Sequence, residues 1–305
     1  MRTLFALVLV LLAGAAAGYI ALAVWPIGPS GSIDASLEGD PQRGAYLART
    51  SGCISCHTDF SAGGAPLAGG PALDTPFGVF HAPNITTDPE VGIGAWTLAD
   101  FDRAVRGGVS PDGEPLYPVF PYEFYAGLTD QEVADLFAAF QTVAPVAEAA
   151  PAHVLDFPFS LRPTLKVWRA LYFRPDEGAA TTVAGADAAA SEPAARGRHL
   201  VESVVHCGAC HTPRNMLGGL DAAAPFEGSD MLPGGDVAPA ITPAALAQDG
   251  WSIESLAYAL KSGITPSGDA FGGEMAEFVK QATAFLSDDD RTAIATYLME
   301  RPGRP

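Results

Sequence analysis

The chain contains two copies of a short pattern in which two cysteines, three positions apart, are followed directly by a histidine. The six residues are Cys53, Cys56 and His57 in the first copy and Cys207, Cys210 and His211 in the second. Two thiols about one helical turn apart can bond to the two vinyl groups on one edge of a porphyrin. The histidine then lies beneath the iron and can supply its proximal nitrogen ligand. The pattern predicts two covalently bound haem c groups, which use every cysteine in the chain.

Two other kinds of site can be built from the same cysteines. Two Cys-x-x-Cys pairs can hold a tetrahedral zinc ion with four thiolates, and four cysteines can also form two disulfides. Neither site explains why a histidine follows each pair. We therefore expect haem at both motifs.

The residues around the motifs repeat at an offset near 155 positions. The matching segments are Arg43-Gly44 with Arg196-Gly197, Pro83-Asn84-Ile85-Thr86 with Pro239-Ala240-Ile241-Thr242, and Trp96-Thr97 with Trp251-Ser252. A repeat of this kind indicates two copies of one structural unit. We expect an N-terminal segment at 1–36, a first haem domain at 37–147, a linker at 148–190 and a second haem domain at 191–305.

Each unit is predicted to contain three helices joined by loops rich in glycine and proline. The predicted helices begin at Asp40 or Pro41, Thr97 and Thr129 in the first unit and at Glu192 or Pro193, Ser252 and Ser287 in the second. Thr97 and Ser252 are good N-caps, and Thr129 with Glu132 has the pattern of a capping box. No alternating strand pattern of useful length is present, so the fold class is mainly α.

Residues 4–25 form one uncharged apolar run behind Arg2. A cleaved signal peptide usually has an apolar region of about 7 to 15 residues, whereas a run of about 20 matches the hydrocarbon core of a bilayer. The length favours an uncleaved membrane anchor, with Trp25 at the outer interface. With either outcome the body is exported, which suits covalent haem attachment in an oxidising compartment.

The formal charge is −18, from 17 Lys and Arg against 35 Asp and Glu. Nucleic acid binding needs a basic surface, so this function is excluded. A strongly acidic body is compatible with steering toward a basic partner surface.

The linker has two parts of different composition. Residues 157–173 are aromatic and basic, and residues 176–190 are rich in alanine. The aromatic part can be a strap that packs across both units or a docking patch for a partner. We favour the strap, because large exposed aromatic clusters are unusual on soluble monomers.

The sixth iron ligands are predicted to differ between the two units. Met275 lies between the second and third helices of its unit, where a loop can carry the thioether over the distal face of the haem. The offset takes Met275 to Phe120, which cannot bind iron, and the first unit contains no methionine. His81 is its other histidine and is the candidate sixth ligand there; without it the first haem is five-coordinate. We expect His153, His199 and His206 to be surface residues or contacts of the haem propionates.

The order of the motifs resembles the multihaem cytochrome c subunit of membrane-bound periplasmic dehydrogenases of the alcohol and gluconate dehydrogenase type. The matching stretches are Gly52 to Thr58, Pro83 to Glu90, Gly92 to Trp96, Tyr117-Pro118, Pro121-Tyr122, Phe157 to Arg162 and Cys207 to Asn215. The resemblance implies two tandem class I cytochrome c domains behind an N-terminal membrane anchor or signal segment. It also implies a periplasmic carrier between a dehydrogenase or quinol donor and a respiratory acceptor.

The chain departs from this family in two respects. The family commonly has three haem units, and it often has methionine where Phe120 stands. The second departure keeps an alternative function open: a haem enzyme, peroxidase-like or oxidising a small anion, that uses an open or unusually ligated first iron.

Overall fold

The structure is a computed structural model that describes residues 2–28, 33–174 and 192–301. Helix α1 (Arg2–Val24) has 23 residues and none of them is buried. At 1.5 Å per residue it is about 34 Å long, enough to cross a hydrocarbon core of about 30 Å. In the described residues it is the one helix that is long and apolar enough to cross a membrane, a property that a signal sequence shares.

The first half of the body is built from five helices and a small sheet. The helices are α2 (Pro41–Thr50), α3 (Cys53–Cys56), α4 (Leu98–Val105), α5 (Tyr122–Tyr125) and α6 (Asp130–Phe140). Strands β1 (Ala72–Thr75), β2 (Gly78–His81) and β3 (Val154–Leu155) form an antiparallel sheet in the order β1-β2-β3. The expectation of a mainly α fold is confirmed. The sequence showed no alternating pattern of useful length, and the three strands are only four, four and two residues long.

The second half repeats the helices of the first. After the linker helix α7 (Leu165–Tyr172) come α8 (Glu192–His199), α9 (Gly208–His211), α10 (Pro243–Gln248), α11 (Ile253–Ser262), α12 (Gly273–Gln281) and α13 (Asp288–Glu300). Helix α8 continues as a π-helix over Leu200–Val204, and 3-10 turns lie at Arg162–Thr164, Pro233–Gly235 and Thr283–Phe285.

The predicted helix starts agree with the structure. Thr97 and Thr129 each form a full capping box, with Asp100 and Glu132 as the reciprocal side chains. Ser252 caps α11 in the same way, and Ser287 accepts a hydrogen bond from the Asp290 amide at the start of α13. These interactions satisfy orphan N–H groups of the first turn and fix where each helix begins.

In each half the first and last helices cross at a glycine. A Cβ atom on Gly44 of α2 would lie 1.8 Å from the Asp135 carbonyl oxygen of α6, and one on Gly197 of α8 would lie 1.9 Å from the Ala293 oxygen of α13. Both positions therefore require glycine for the helices to approach this closely. An ion pair stands beside each crossing. Arg43 Nε lies 2.6 Å from Asp135 Oδ2, and Arg196 Nε lies 2.9 Å from Asp290 Oδ1.

The two halves share one continuous hydrophobic core. Val133 from the first half and Val201 and Ile294 from the second are fully buried in the same cluster. Polar contacts cross the same boundary: Tyr46 Oη donates to Asp290 Oδ2 at 2.6 Å, and the Ser287 amide donates to Tyr46 Oη at 3.1 Å. The two haem motifs are therefore held in fixed positions relative to each other.

The aromatic linker packs against both halves, as expected of a strap. Trp168 Nε1 donates to the Leu217 oxygen of the second half at 2.9 Å. Arg169 lies over the Tyr122 ring of the first half, with 5.2 Å from its Cζ atom to the ring centroid. The predicted alanine-rich stretch at 176–190 falls outside the described residues.

Candidate haem-binding sites

Each cysteine pair lies on a single short helical turn. Cys53 and Cys56 begin and end α3, while Cys207 is the N-cap of α9 and Cys210 lies within it. All four thiols are free, Cys56 and Cys210 are exposed, and Cys53 and Cys207 are half-buried. Within each pair one cysteine is therefore more exposed than the other, on the same helical turn. This arrangement fits attachment to one edge of a porphyrin.

The histidines of the two motifs are oriented by the same hydrogen bond. His57 Nδ1 lies 2.7 Å from the Pro83 oxygen, and His211 Nδ1 lies 2.8 Å from the Pro239 oxygen. A carbonyl oxygen can only accept, so Nδ1 must carry the proton in both rings. Nε2 is then left with its lone pair, which is the form of imidazole that binds a metal. Burial also lowers the pKa of both rings, which favours the neutral form.

A strained loop follows each motif and binds the segment that carries the proline oxygen, because the Ile85 amide donates to the Leu67 oxygen and the Ile241 amide to the Phe226 oxygen, both at 2.9 Å. Thr58 Oγ1 accepts from the Leu67 amide at 3.0 Å, and Thr212 Oγ1 accepts from the Phe226 amide at 3.1 Å. Leu67 and Phe226 both have left-handed backbones, with φ of +62° and +66°. This conformation is rare for large residues and persists only where the surroundings enforce it. Its recurrence at both sites indicates that the loop conformation is required by the site.

The two alternative uses of the cysteines do not fit this geometry. The cysteines form no disulfide, and all four are within the described part of the chain. Over the described ranges, no group of three or more His, Cys, Asp or Glu side chains is placed to hold a metal ion. The described cysteines are therefore not arranged as a Cys₄ zinc site. A histidine with a free Nε2 beside a thiol pair on one helical turn fits a covalent haem.

Met275 lies in the first turns of α12, half-buried against the main core. Its neighbour Glu274 is close to the second cysteine of both motifs. Burial is the main cause that raises the pKa of Cys56 and Cys210, and the Glu274 carboxylate adds to it in both. The start of α12 thus lies near the haem motifs, and Met275 as the sixth ligand stays a prediction.

Phe120 occupies the corresponding place in the first half. Its ring centroid lies 5.6 Å from that of the buried Tyr125. Tyr125 Oη in turn donates to the Ser51 oxygen at 2.6 Å, two residues before Cys53. Phe120 therefore packs next to the first haem motif with an apolar ring in place of a sulfur.

His81 ends strand β2 and pairs with Ala72 of β1. Its amide donates to His153 Nδ1 at 3.2 Å. Two residues after His81, the Pro83 oxygen accepts from Nδ1 of His57, the ring nitrogen that would not bind iron. The backbone of His81 therefore lies close to the residue that orients the proposed proximal ligand, which is unfavourable for a ligand on the opposite face. Its role as sixth ligand stays a prediction.

The other three histidines make contacts that the sequence did not reveal. His199 Nε2 lies 2.8 Å from Glu132 Oε1, and His206 Nε2 lies 3.1 Å from the Ser51 oxygen, so both connect the two halves. His153 is half-buried between the rings of Phe80 and Tyr117. His199 and His206 are both partly buried, and the expected propionate contacts stay a prediction. The sequence did contain a sign of the His206 contact. His206 stands 155 positions after Ser51, so the repeat makes the two residues equivalent in their halves.

Glu123 of α5 is a further residue that the sequence did not single out. Its side chain is 12% exposed, and Oε1 makes no hydrogen bond within the described part of the chain. The nearest cation is Arg214, three residues after the second motif, at 3.9 Å. Burial raises the pKa of Glu123 to about 7, against the opposing effect of Arg214. A titrating carboxyl group of the first half thus lies beside the second haem motif.

Comparison with known proteins identifies similar chains. The family model described as "Cytochrome C oxidase, cbb3-type, subunit III" matches residues 192–298. A "Diheme cytochrome c-type" protein from Cereibacter sphaeroides is 42% identical over 97% of this chain and 96% of its own length. The gluconate 2-dehydrogenase cytochrome c subunit of Pantoea cypripedii is 41% identical over 84% of this chain and 58% of that protein. The alcohol dehydrogenase (quinone) cytochrome c subunit of Gluconobacter oxydans is 39% identical over 87% of this chain. The chain spans 55% of that last subunit.

Proposed function

Because this chain belongs to the family of dihaem c-type cytochromes, which transfer electrons, we propose that it carries electrons between a dehydrogenase or quinol donor and a respiratory acceptor. The observation that carries the proposal is the matched orientation of His57 and His211, each with Nδ1 bound to a proline oxygen and Nε2 directed elsewhere. Two bound haems would supply one-electron redox chemistry, and the protein sets their ligation and burial. A haem enzyme is not favoured, since the relatives are cytochromes and cytochrome subunits.

Two tandem class I cytochrome c domains, at 37–147 and 191–305, form the body in this proposal. The repeated helix crossings at Gly44 and Gly197 support it, as does the loop that recurs after each motif. Each domain would hold one haem through its two cysteines and its histidine. Met275 is the proposed sixth ligand of the second haem, and His81 is kept as the candidate for the first.

The donor is proposed to be a membrane-bound dehydrogenase. The relatives include cytochrome subunits of gluconate, alcohol and fructose dehydrogenases. This chain spans about half of the length of those subunits. The similarity therefore supports the kind of donor and leaves its substrate open.

The N-terminal helix is proposed to be retained as an anchor that holds the body on the periplasmic side of the inner membrane. Lys166 Nζ of the linker donates to the oxygens of Leu22, Ala23 and Trp25 at 2.8, 3.0 and 2.6 Å. The last carbonyls of a helix have no partner within it, and a cation at that end is favourable. Cleavage of α1 as a signal peptide would remove contacts that the folded body makes.

The test is to count covalent haem and electrons in the purified full-length protein, made in cells that attach haem in the periplasm. We expect two haems per chain and two electrons taken up in a reductive titration. Cys53→Ala with Cys56→Ala should remove one haem, and Cys207→Ala with Cys210→Ala should remove the other. A chain with fewer than two covalent haems, or with haem retained after either pair of changes, would contradict the proposal.

A further inference from the structure

The linker helix α7 has an apolar stripe on its outer face. Leu165, Trp168 and Arg169 are buried beneath the helix. The exposed positions of the helix are Val167, Ala170 and Leu171, which follow the spacing i, i+3, i+4 of one helical face, and exposed Arg174 lies two residues past its end. Val167 is 43% exposed and Leu171 is 54% exposed. A helix that buries one face and presents a second apolar stripe to the outside needs something to cover that stripe.

A second exposed apolar segment lies beside α7. Trp168 Nε1 bonds to the Leu217 oxygen, which brings the loop after the second haem motif against the helix. Met216 at the tip of this loop is 86% exposed and Leu217 is 51% exposed. We call Val167, Ala170, Leu171, Met216 and Leu217 together the linker face.

The end of α1 fixes where the linker face stands relative to a membrane. Lys166, which holds the carbonyls of Leu22, Ala23 and Trp25, is the residue directly before Val167. All three N–H donors of the ammonium group are used in these bonds. Helix α7 is eight residues long, about 12 Å, so no part of it can be far from the point where α1 leaves the bilayer. The headgroup layer on each side of a bilayer is itself about 5 to 7 Å deep.

The charge of the linker fits the same surface. Residues 157–174 contain four Lys or Arg and no Asp or Glu, in a chain whose formal charge is −18. Arg169 is buried beneath α7 and Arg162 donates to the Pro115 oxygen, so Lys166 and Arg174 are the linker cations that anionic headgroups would attract. A basic helix with an apolar stripe is also the pattern of helices that lie in the membrane interface.

We propose that the linker face lies in the headgroup region of the bilayer, next to the exit of α1, so that the body is held at the membrane by two contacts. This inference rests on the proposal that α1 is a retained anchor. Val167 and Leu171 enter the boundary between headgroups and acyl chains, while Lys166 and Arg174 remain at headgroup level, where long basic side chains place their charge. The second contact fixes the rotation of the body about α1. It also brings the loop after the second haem motif to the bilayer surface.

The test measures contact with lipid at a single labelled position of the full-length holoprotein. Because both haems use all four native cysteines, an introduced cysteine is the one reactive thiol. Leu171→Cys and Val167→Cys report on the stripe, and Asp289→Cys at the exposed, acidic start of α13 is the control. Each variant carries a fluorescent label in nanodiscs that contain anionic phosphatidylglycerol, with and without a lipid that bears a quencher near its headgroup. Haem dims the label in both preparations, so the intensity ratio reports lipid contact alone.

We expect the intensity to fall several-fold with the quencher lipid at positions 171 and 167 and to remain unchanged at position 289. If the quencher lipid leaves the intensity unchanged at all three positions, in protein that stays in the membrane during carbonate extraction, the inference is overturned and the anchor remains supported. Release of the protein by carbonate would instead contradict the anchor, and with it the basis of the inference. A label at position 171 that is shielded from aqueous iodide but insensitive to the quencher lipid would show that a protein covers the stripe, which also overturns the inference.

Discussion

The two halves of the body match closely on one side of each proposed haem and differ on the other. On the proximal side, His57 and His211 bind Pro83 and Pro239 at distances that differ by 0.1 Å. At the position proposed for the sixth ligand, the repeat places Phe120 where the second half has Met275. One scaffold has therefore kept the residues proposed to hold a haem and changed the residue proposed as its sixth ligand.

Because of this difference, the two halves should attach haem alike but differ in the redox potential of the iron. Thioether bonds and a proximal imidazole hold the haem, while the sixth ligand has a large effect on the potential of the iron. A thioether raises the potential, so we expect the second haem to be the higher of the two. The direction of electron flow would then be from the first half to the second.

The largest effect is expected from Met275→Phe, which gives the second half the distal residue of the first. Loss of the sulfur should lower the potential of the higher haem by on the order of 0.1–0.3 V. Carbon monoxide binding to the reduced protein should increase by one haem per chain. Met216→Leu, which changes an exposed methionine, is the control and should alter neither quantity.

Phe120→Met makes the reverse change and gives the first half the residue that the second half has at this position. A thioether at this position should raise the potential of the lower haem and abolish its carbon monoxide binding. His81→Ala, prepared in parallel, shows whether His81 is a ligand. If the wild type binds carbon monoxide at neither haem and His81→Ala binds it at one, the first haem is ligated by His81 and the expected asymmetry is wrong.

The next effect concerns the helix crossings, where the halves should respond alike. Gly44→Ala and Gly197→Ala each place a Cβ less than 2 Å from a backbone oxygen, so the helices must separate. We expect each substitution to lower the free energy of unfolding by about 3 kcal/mol, as overpacking of a core contact does. Denaturant titration of the holoprotein measures the change. Gly28→Ala is the control, because a Cβ at Gly28 would meet no other atom. If neither core substitution changes the midpoint of the denaturant titration, the crossing does not depend on glycine.

A feature of this fold was predictable from the sequence when the residues that form it lie close together along the chain. Thr129 and Glu132 lie three residues apart on one helix turn, and their capping box was expected from the sequence and is present. Ser287 and Asp290 have the same spacing, but the Asp290 carboxylate binds Arg196 and Tyr46. Those two partners are more than 90 residues away in the sequence, and no local pattern indicates them.

The same reasoning applies to the site. The proximal histidines were identified from their motifs, whereas the carbonyl oxygens that orient them come from Pro83 and Pro239, 26 and 28 residues further along the chain. The repeat identified both prolines as matching positions but did not indicate that their oxygens orient the histidines. The burial of Glu123 was not predictable, because it arises where the first half packs against the second.

Glu123 is a further difference between the halves, because the repeat places Phe278 at the corresponding position. A smaller effect on the free energy of unfolding is expected from this residue. Since burial raises the pKa of Glu123 to about 7, the folded protein keeps a proton that the unfolded chain loses above about pH 4.5. The free energy of unfolding should therefore fall as the pH rises from 4.5 to 7. Glu123→Gln should remove this fall and stabilise the protein by about 2 kcal/mol at pH 7.5.

Denaturant titrations at several pH values between 4.5 and 7.5 measure the effect. Glu277→Gln, at an exposed carboxylate, is the control for the general effect of removing a negative charge. If Glu123→Gln and Glu277→Gln show the same pH dependence as the wild type, the Glu123 carboxylate is hydrated or fully compensated by Arg214.

The smallest effect concerns two polar contacts between the halves that occupy related positions. Tyr46 of α2 binds Asp290 and Ser287 at the start of α13, and His199 of α8 binds Glu132 at the start of α6. Tyr46→Phe and His199→Ala should each lower the free energy of unfolding by about 1 kcal/mol at pH 7. Denaturant titration of both variants beside the wild type measures these changes.

The pH dependence distinguishes the contribution of His199 from a simple loss of packing. Although burial raises the pKa of Glu132, its hydrogen bond to His199 and further contacts outweigh that effect and lower it below the ordinary value of 4.5. A lowered carboxyl pKa contributes stability that is present above 4.5 and is lost as the pH falls through the folded value. The difference between wild type and His199→Ala should therefore shrink below pH 4.5. If it is constant from pH 7 to pH 3, the carboxylate of Glu132 does not depend on His199, and the contact between the halves is held by packing alone.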